Sequence, residues 1–472
     1  MRKFLTHIIL LVPLFTDAQD LYKVNMLSFN TPHFNEFAPY ILPGQGILFV
    51  SNRNNDFITH YRTPNDESLY DLYFISDYDT AKNYSNLFAK ELRTIYHEGP
   101  ACLGPGGTTL YFTRSQKAEK RIGSSIQGSN RLGIYLSAKL GNEWTQAQPF
   151  RYNNEMYNVV HPSLSSKADT IYFASDMPGG QGGLDIYLSV RRDTGWQSPI
   201  NLGPTVNSQS NDMYPFITGG SKLYFTSSRS GGQGKMDIYF TRQEAGIWQP
   251  PVNPGVPLNS KHDDFSYTTT GDGKTGYFSS NRRNKQDDIY SFEFIMPYFE
   301  CKQQQKNTYC YTFFEENLGE SDTATMKYEW IFGDGEKARG RKVKHCYKEP
   351  GTYNVKLNAV DPLTGEVYFN QADYEIVTED KEQPVITYNN DPVAGDTIHF
   401  SSARTYLKDI TIKNIYWIFD DDIVIPGSHA LRTFRKSGIK RVSLGITGIS
   451  NSTGEVVKQC SYLDIEVQKN KK

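Results

Sequence analysis

Residues able to do chemistry are sparse in this 472-residue chain, and their spacing argues against the common catalytic arrangements. No G-x-S-x-G sets a serine nucleophile on a strand-to-helix elbow. No H-E-x-x-H, phosphate loop or dinucleotide fingerprint occurs. The nine histidines are scattered, and His97, His161 and His262 precede apolar segments as expected of hydrogen-bonded turn residues. Acidic residues come in short runs: Asp263-Asp264, Asp287-Asp288 and Asp420-Asp421-Asp422. Loop carboxylates suit Ca²⁺, but the calcium-loop spacing is missing, so these runs read as solvated turns. Neither a metal nor a cofactor is expected. Asp71, Asp185, Asp237 and Asp288 recur just before Ile/Leu-Tyr. Recurrence predicts a structural role, that of accepting hydrogen bonds from turns such as Ser228-Arg229 and Asn281-Arg282.

Those aspartates belong to a repeat. An apolar-aromatic run, a polar turn and Asp-Ile-Tyr return in IYFASDMPGGQGGLDIYLS (171–189), LYFTSSRSGGQGKMDIYFT (223–241) and GYFSSNRRNKQDDIYSF (276–292). Looser copies are ILFVSNR (47–53) with DLYF (71–74), and LYFTRS (110–115) with GIYLS (133–137). The shared tyrosines, Tyr73, Tyr135, Tyr187, Tyr239 and Tyr290, lie 62, 52, 52 and 51 residues apart. Each unit holds four short segments of period two, which point alternate side chains to opposite faces. Such a four-stranded sheet buries both faces only when stacked radially with others, as in a propeller blade. The N-terminal phrase VNMLSFNTPHFNEFAPYI (24–41) matches the inter-unit linkers, so its first half is expected to be the outer strand of the last blade, closing a ring of roughly five blades, with six as the alternative.

The phrases YFxSxR and GGxDIY resemble the PD40, or WD40-like, repeats of bacterial envelope proteins, related to the TolB propeller. The resemblance covers residues 24–295. The first two units depart from it in longer polar loops, 54–70 and 116–132. Propellers commonly bind partners through such loops, so Asp56, Phe57, His60, Tyr61, Arg62, Arg121 and Arg131 are the candidate partner-binding residues.

After Met296 the pattern changes. YEWIFGDGEKARGRKVKHCYKEPGTYNVKL (328–357) carries W-x-F-G-D-G and P-G-T-Y-x-V-x-L. Trp330 and Phe332 alternate inward, and Gly333-Asp334-Gly335 forms a turn needing positive φ. The phrase resembles the PKD domain, an immunoglobulin-like sandwich. IYWIFDDDIVIPG (415–427) repeats it more weakly, with Asp421 and Asp422 in place of the turn. The expected fold class is all-β: a five-bladed β-propeller followed by two immunoglobulin-like, PKD-type β-sandwiches. The expected domains are a signal peptide at 1–18, the propeller at 19–296, a PKD domain at 297–380 and a second such domain at 381–472.

The leader rests on Arg2 and Lys3, the apolar run Ile8 to Phe15 and the small Ala18. That run is too short to span a bilayer, and no later segment is long and apolar enough to cross as a helix. Export makes disulfides possible among Cys102, Cys301, Cys310, Cys346 and Cys460, with one thiol left over and one bridge expected within 301–346. A net charge of −2 gives no field for nucleic acid. Aromatic residues at 14% favour pleated sheets.

These features point to an exported protein of the periplasm or outer membrane that is not an enzyme. It is expected to scaffold by docking an envelope protein partner. The PD40–PKD resemblance implies a Bacteroidota-type envelope and machinery such as type IX secretion or gliding. A carbohydrate-binding protein is the alternative, with Trp144, Trp196 and Trp248 stacking on glycan, although a repeating position suits packing between blades better. A hydrolase with a site in the propeller channel is the third class. It would show several carboxylates and a histidine converging on one mouth of the ring.

Overall fold

A computed structural model describes residues 21–53, 68–76, 85–116, 120–122, 125–127, 131–219, 221–244, 246–271, 273–315, 326–389, 391–420 and 423–470. Strands dominate, and two short 3₁₀ turns, Lys90–Leu92 and Pro105–Gly107, are the helical segments among the described residues. None of those residues forms a helix long and apolar enough to cross a membrane. The chain divides into two compact units, Asp20–Met296 and Pro297–Lys472.

Among the described residues the first unit holds five antiparallel sheets of four or five strands and one two-stranded sheet, Lys120–Ile122 with Ser125–Gln127. The first strands of the five larger sheets are Glu36–Leu42, Glu98–Leu103, Val159–Leu164, Asp212–Thr218 and Asp264–Thr269. Each first strand packs against the next, and the fifth packs against the first, so the sheets form a closed ring. The second strand of each sheet, such as Gly46–Ser51, is buried on both faces because sheets cover it from both sides. The fifth sheet takes its outer strand from the other end of the unit. Tyr22–Met26 pairs antiparallel with Asp288–Phe294, from Tyr22 opposite Phe294 to Met26 opposite Tyr290. Asn30 fastens this joint. Its Nδ2 donates to the Ile289 carbonyl (2.8 Å), and the Ile289 amide donates to its Oδ1 (2.9 Å). Asn153, Asn207 and Asn259 hold Ile134, Ile186 and Ile238 in the same way.

One aromatic pair recurs in all five sheets. Phe49, Phe112, Phe173, Phe225 and Phe278 pack on Tyr73, Tyr135, Tyr187, Tyr239 and Tyr290, with ring centroids 5.7–6.4 Å apart. Each of these phenylalanines is essentially sealed from solvent, a burial that stabilises by about 1.5–3 kcal/mol apiece. In four sheets an arginine covers the pair: Arg53, Arg114, Arg229 and Arg282. Trp196 and Trp248 are buried among neighbouring residues, and Trp144 is half-buried against Phe88. The tryptophans therefore pack the unit rather than present sugar platforms.

The second unit holds two β-sandwiches. In the first, a four-stranded sheet containing Lys327–Ile331 and Gly351–Val360 lies with the pair Tyr309–Phe314 and Lys342–Tyr347. Trp330, Phe332, Val355 and Leu357 fill its core. Gly333 has φ +84°, and a Cβ there would lie 2.7 Å from the Asn354 carbonyl oxygen. In the second, Ile410–Phe419 belongs to a five-stranded sheet, and Thr397–Ser401 lies in a separate three-stranded sheet. Trp330 Nε1 donates to the Gly340 carbonyl (3.0 Å), and Trp417 Nε1 donates to the Gly427 carbonyl (2.9 Å). Disulfides join Cys310 to Cys346 and Cys301 to Cys460, leaving Cys102 as a buried thiol in the first unit.

Candidate functional site

The first strands of the ring line a narrow axial channel. Its enclosed part is about 40 Å³, with walls that include Tyr40, Cys102, His161, Tyr214 and Tyr267. The His161 ring stacks flat on Tyr214, with centroids 3.8 Å apart, and Tyr214 N–H donates to His161 Nδ1 (3.4 Å). Although part of His161 faces the channel, protein surrounds its ring. That burial pushes its pKa down to about 3, so it is neutral and acts as a wall.

Where each sheet begins, acids meet arginines. Glu36 pairs with Arg53 (3.0 Å), Glu98 with Arg114 (3.1 Å), Asp212 with Arg229 (2.8 Å), and Asp264 with Arg282. This corrects the role expected of the recurrent aspartates. The Ser-Arg turns serve the acid that begins the first strand of their own sheet. Asp185 and Asp237 accept amide hydrogen bonds from their own Gly-rich turns, at Gln181 (2.5 Å) and Gly234 (3.2 Å). Asp71 takes Arg93 (3.2 Å) and Asp288 takes Arg283 (3.4 Å). The reading of Asp263-Asp264 and Asp287-Asp288 as solvated turns is also corrected, since Asp264 and Asp288 are sealed from solvent. The third sheet lacks the set: Val159 and Met177 stand where other sheets place the acid and the arginine, and Gly133 of the second sheet stands where others place the aspartate.

Two carboxylates at this end have no cation against them among the described residues. Asp263 Oδ2 accepts from Asn281 Nδ2 (3.0 Å), while its buried Oδ1 has no donor. Asp287 is pushed up to about 6 by burial, then by the charges of Asp263 and Asp288. Its position is fixed by backbone. Asp287 N–H donates to Asn35 Oδ1 (3.1 Å), and the Glu36 amide donates to the Asp287 carbonyl (2.7 Å). Asn35 Nδ2 in turn donates to the Tyr70 hydroxyl (2.8 Å). Tyr70 N–H donates to His97 Nδ1 (3.2 Å), which leaves the proton of a neutral His97 on Nε2. Tyr214 lies within electrostatic reach of Asp287 and Tyr70. Phe37 and Phe265 add apolar walls, packing on Tyr70 (5.4 Å) and Tyr214 (5.3 Å). Asp263, Asp287, Tyr70 and Tyr214 therefore lie within electrostatic or hydrogen-bonded reach of one another at this end, and His97 joins them only through Tyr70.

The loop residues expected to bind a partner are not brought to this mouth by any described contact. Asp56, Phe57, His60, Tyr61 and Arg62 lie outside the described residues, as does the predicted leader. Arg121 falls on the short strand Lys120–Ile122, paired with Ser125–Gln127. Arg131 pairs with Asp176 (3.6 Å). Among the described residues no group of three or more His, Cys, Asp or Glu is arranged to hold a metal ion.

Comparison with known proteins adds three findings. Residues 297–366 match the PKD domain family, as the W-x-F-G-D-G phrase implied. A collagenase, ColA of Clostridium perfringens, is 41% identical over 410 residues, which are 73% of this chain and 36% of the collagenase. The chain thus spans little more than a third of that relative's length. Solved structures of loosely similar fold include a puromycin-hydrolysing peptidase of Mycobacterium tuberculosis (11% identity, 78% of this chain and 50% of that one, TM-score 0.31). They also include an α-L-arabinofuranosidase of Lactobacillus brevis (11% identity, 56% and 92%, TM-score 0.37). The collagenase match contradicts the expectation that this chain is not an enzyme and that it works as a docking scaffold.

Proposed function

We propose that this protein is an exported hydrolase of polypeptide, with its chemistry at the mouth formed by Asp263, Asp287, Tyr70, Tyr214 and His97. The observation that carries this reading is that Asp263 and Asp287, with no cation against them among the described residues, lie within electrostatic reach of each other, with Tyr214 and Tyr70 beside Asp287. On this reading the five sheets are the blades of a β-propeller resembling PD40 repeats, and a second PKD-like sandwich follows the first. The two disulfides support an oxidising, extracytoplasmic setting such as the periplasm or outer membrane. The polypeptide class of substrate is taken from the collagenase relative.

Paired carboxylates suit amide hydrolysis because neighbouring like charges hold one proton between them. Asp263 takes a proton from water, and the resulting hydroxide adds to the peptide carbonyl carbon. Asp287 gives its proton to the carbonyl oxygen as that oxygen gains charge. Collapse returns the oxygen's proton to Asp287, and the proton on Asp263 leaves with the amine. Tyr70 and Asn35 position Asp287 through the hydrogen bonds described above.

The test is to incubate the purified chain with denatured collagen and count new amino termini. The proposal expects cleavage by the native chain and a loss of about 100-fold or more in Asp287→Asn, the scale of a lost acid–base group. No cleavage, or cleavage unchanged in that variant, refutes it.

A further inference from the structure

The end of the ring opposite this mouth carries a cleft. The first strands run from the acids toward turns at 104–108 and 165–169, so those turns lie at the far edges of the second and third sheets. Between them and the turn after Asp185–Arg192 is a cleft of about 660 Å³, within the usual span for ligand clefts of about 300–1,000 Å³. Lys167, Arg191 and Arg192 border it together with Asp169 and Asp193, so the cations outnumber the carboxylates three to two. No ion pair joins any of the three to a carboxylate among the described residues. Asp169, the nearest acid in sequence to Lys167, is instead engaged by the Ser165 and Thr170 hydroxyls (2.7 and 3.1 Å). Arg191 leans over the Trp196 ring, 5.9 Å from its centroid, which orients one cation.

We infer that this cleft binds an acidic stretch of polypeptide, its carboxylates meeting Lys167, Arg191 and Arg192. Arginine offers paired donors matched to a carboxylate. A sugar acid is the less fitting ligand, because the aromatic rings nearby, Tyr111 and Trp196, are buried and present no face for a pyranose to stack on. The site is separate from the proposed hydrolytic mouth, so it stands whether or not that mouth cleaves anything.

The probe is a labelled deca-glutamate peptide, followed by fluorescence anisotropy with the full chain at physiological salt. Deca-lysine and an alginate oligomer of equal charge to deca-glutamate serve as comparisons. The inference expects deca-glutamate to bind, deca-lysine not to, and alginate to bind at least tenfold more weakly. Lys167→Glu with Arg192→Glu, both at exposed positions, should weaken the peptide at least tenfold while thermal unfolding stays put. Absence of deca-glutamate binding, unchanged binding in the double variant, or alginate binding as tightly as the peptide would each overturn it.

Discussion

Glu98 and Asp71 face each other across the seam between the first and second sheets, close enough for each carboxyl to shift the other's titration. Both are buried, and Glu98 Oε2 has no donor from any other group. Two carboxyls so placed are stable when one proton lies between them. Glu98 holds it: burial pushes its pKa up to about 8, against which the Thr94 hydrogen bond and Arg114 work.

The pair makes the ring's stability depend on pH. An acid with a raised native pKa binds more protons folded than unfolded, so stability falls as pH rises between the two values. For Glu98 that window runs from the ordinary carboxylate range to about 8. Glu98→Gln mimics the protonated form and should flatten the fall. In urea titrations the native protein should lose on the order of 1–3 kcal/mol between pH 5 and pH 8, and the variant clearly less. Equal losses would show that the pair does not share a proton.

Histidine works in the opposite direction. His161 is held neutral, with its pKa near 3, so unfolding lets it take up a proton below its ordinary value of 6.5. Stability from this group is full above that value and is lost as pH falls toward 3. His161→Phe keeps a ring on Tyr214 and should soften the acid-side loss. A variant as acid-sensitive as the native chain would assign that loss to other groups.

Ring closure depends on Asn30. Asn30→Ala removes the only side-chain partner of the Ile289 amide and one of two donors to its carbonyl, the Leu27 amide remaining, and should cost about 1–2 kcal/mol. Unfolding of the first unit should shift, as followed by hydrogen exchange at Ile289. Protection unchanged in the variant would mean that the strand pairing alone holds the joint.

The unit that contains the PKD domain should respond separately. Gly333→Ala adds a Cβ at positive φ against the Asn354 carbonyl and should destabilise Pro297–Lys472 by more than about 1 kcal/mol. Calorimetry should show the corresponding transition move while the ring's stays. Movement of both would mean that the units unfold together.

Much of the fold can be read from the residues. The Phe-Tyr pairs follow from alternating strands, the fifth sheet's outer strand from the N-terminal Asn-Pro-acid-aromatic phrase, and the Gly333 turn from its need for positive φ. The mouth is not legible in the same way. Asp287 looks like half of a solvated Asp-Asp step, because sequence does not reveal that Asn35, 252 residues away, holds its amide. His97 reads as a turn residue, which its bond from Tyr70 supports; its place beside Tyr70 depends on how the first two sheets meet. The swapped arginine partners escape for a related reason. Ser-Arg and Asp-Ile-Tyr are near in sequence, yet the arginine reaches across its own sheet to the first strand.

The most direct test of hydrolysis at the mouth is the pH dependence of kcat/KM for a fluorogenic peptide derived from collagen. Asp287 must carry its proton, and its pKa lies near 6. The rate should therefore fall as pH rises through about 6. Asp263→Asn removes the neighbouring charge and the base together, so whatever rate remains should fall at a lower pH. A profile level from pH 5 to 8, or one identical in Asp287→Asn, would contradict the assignment.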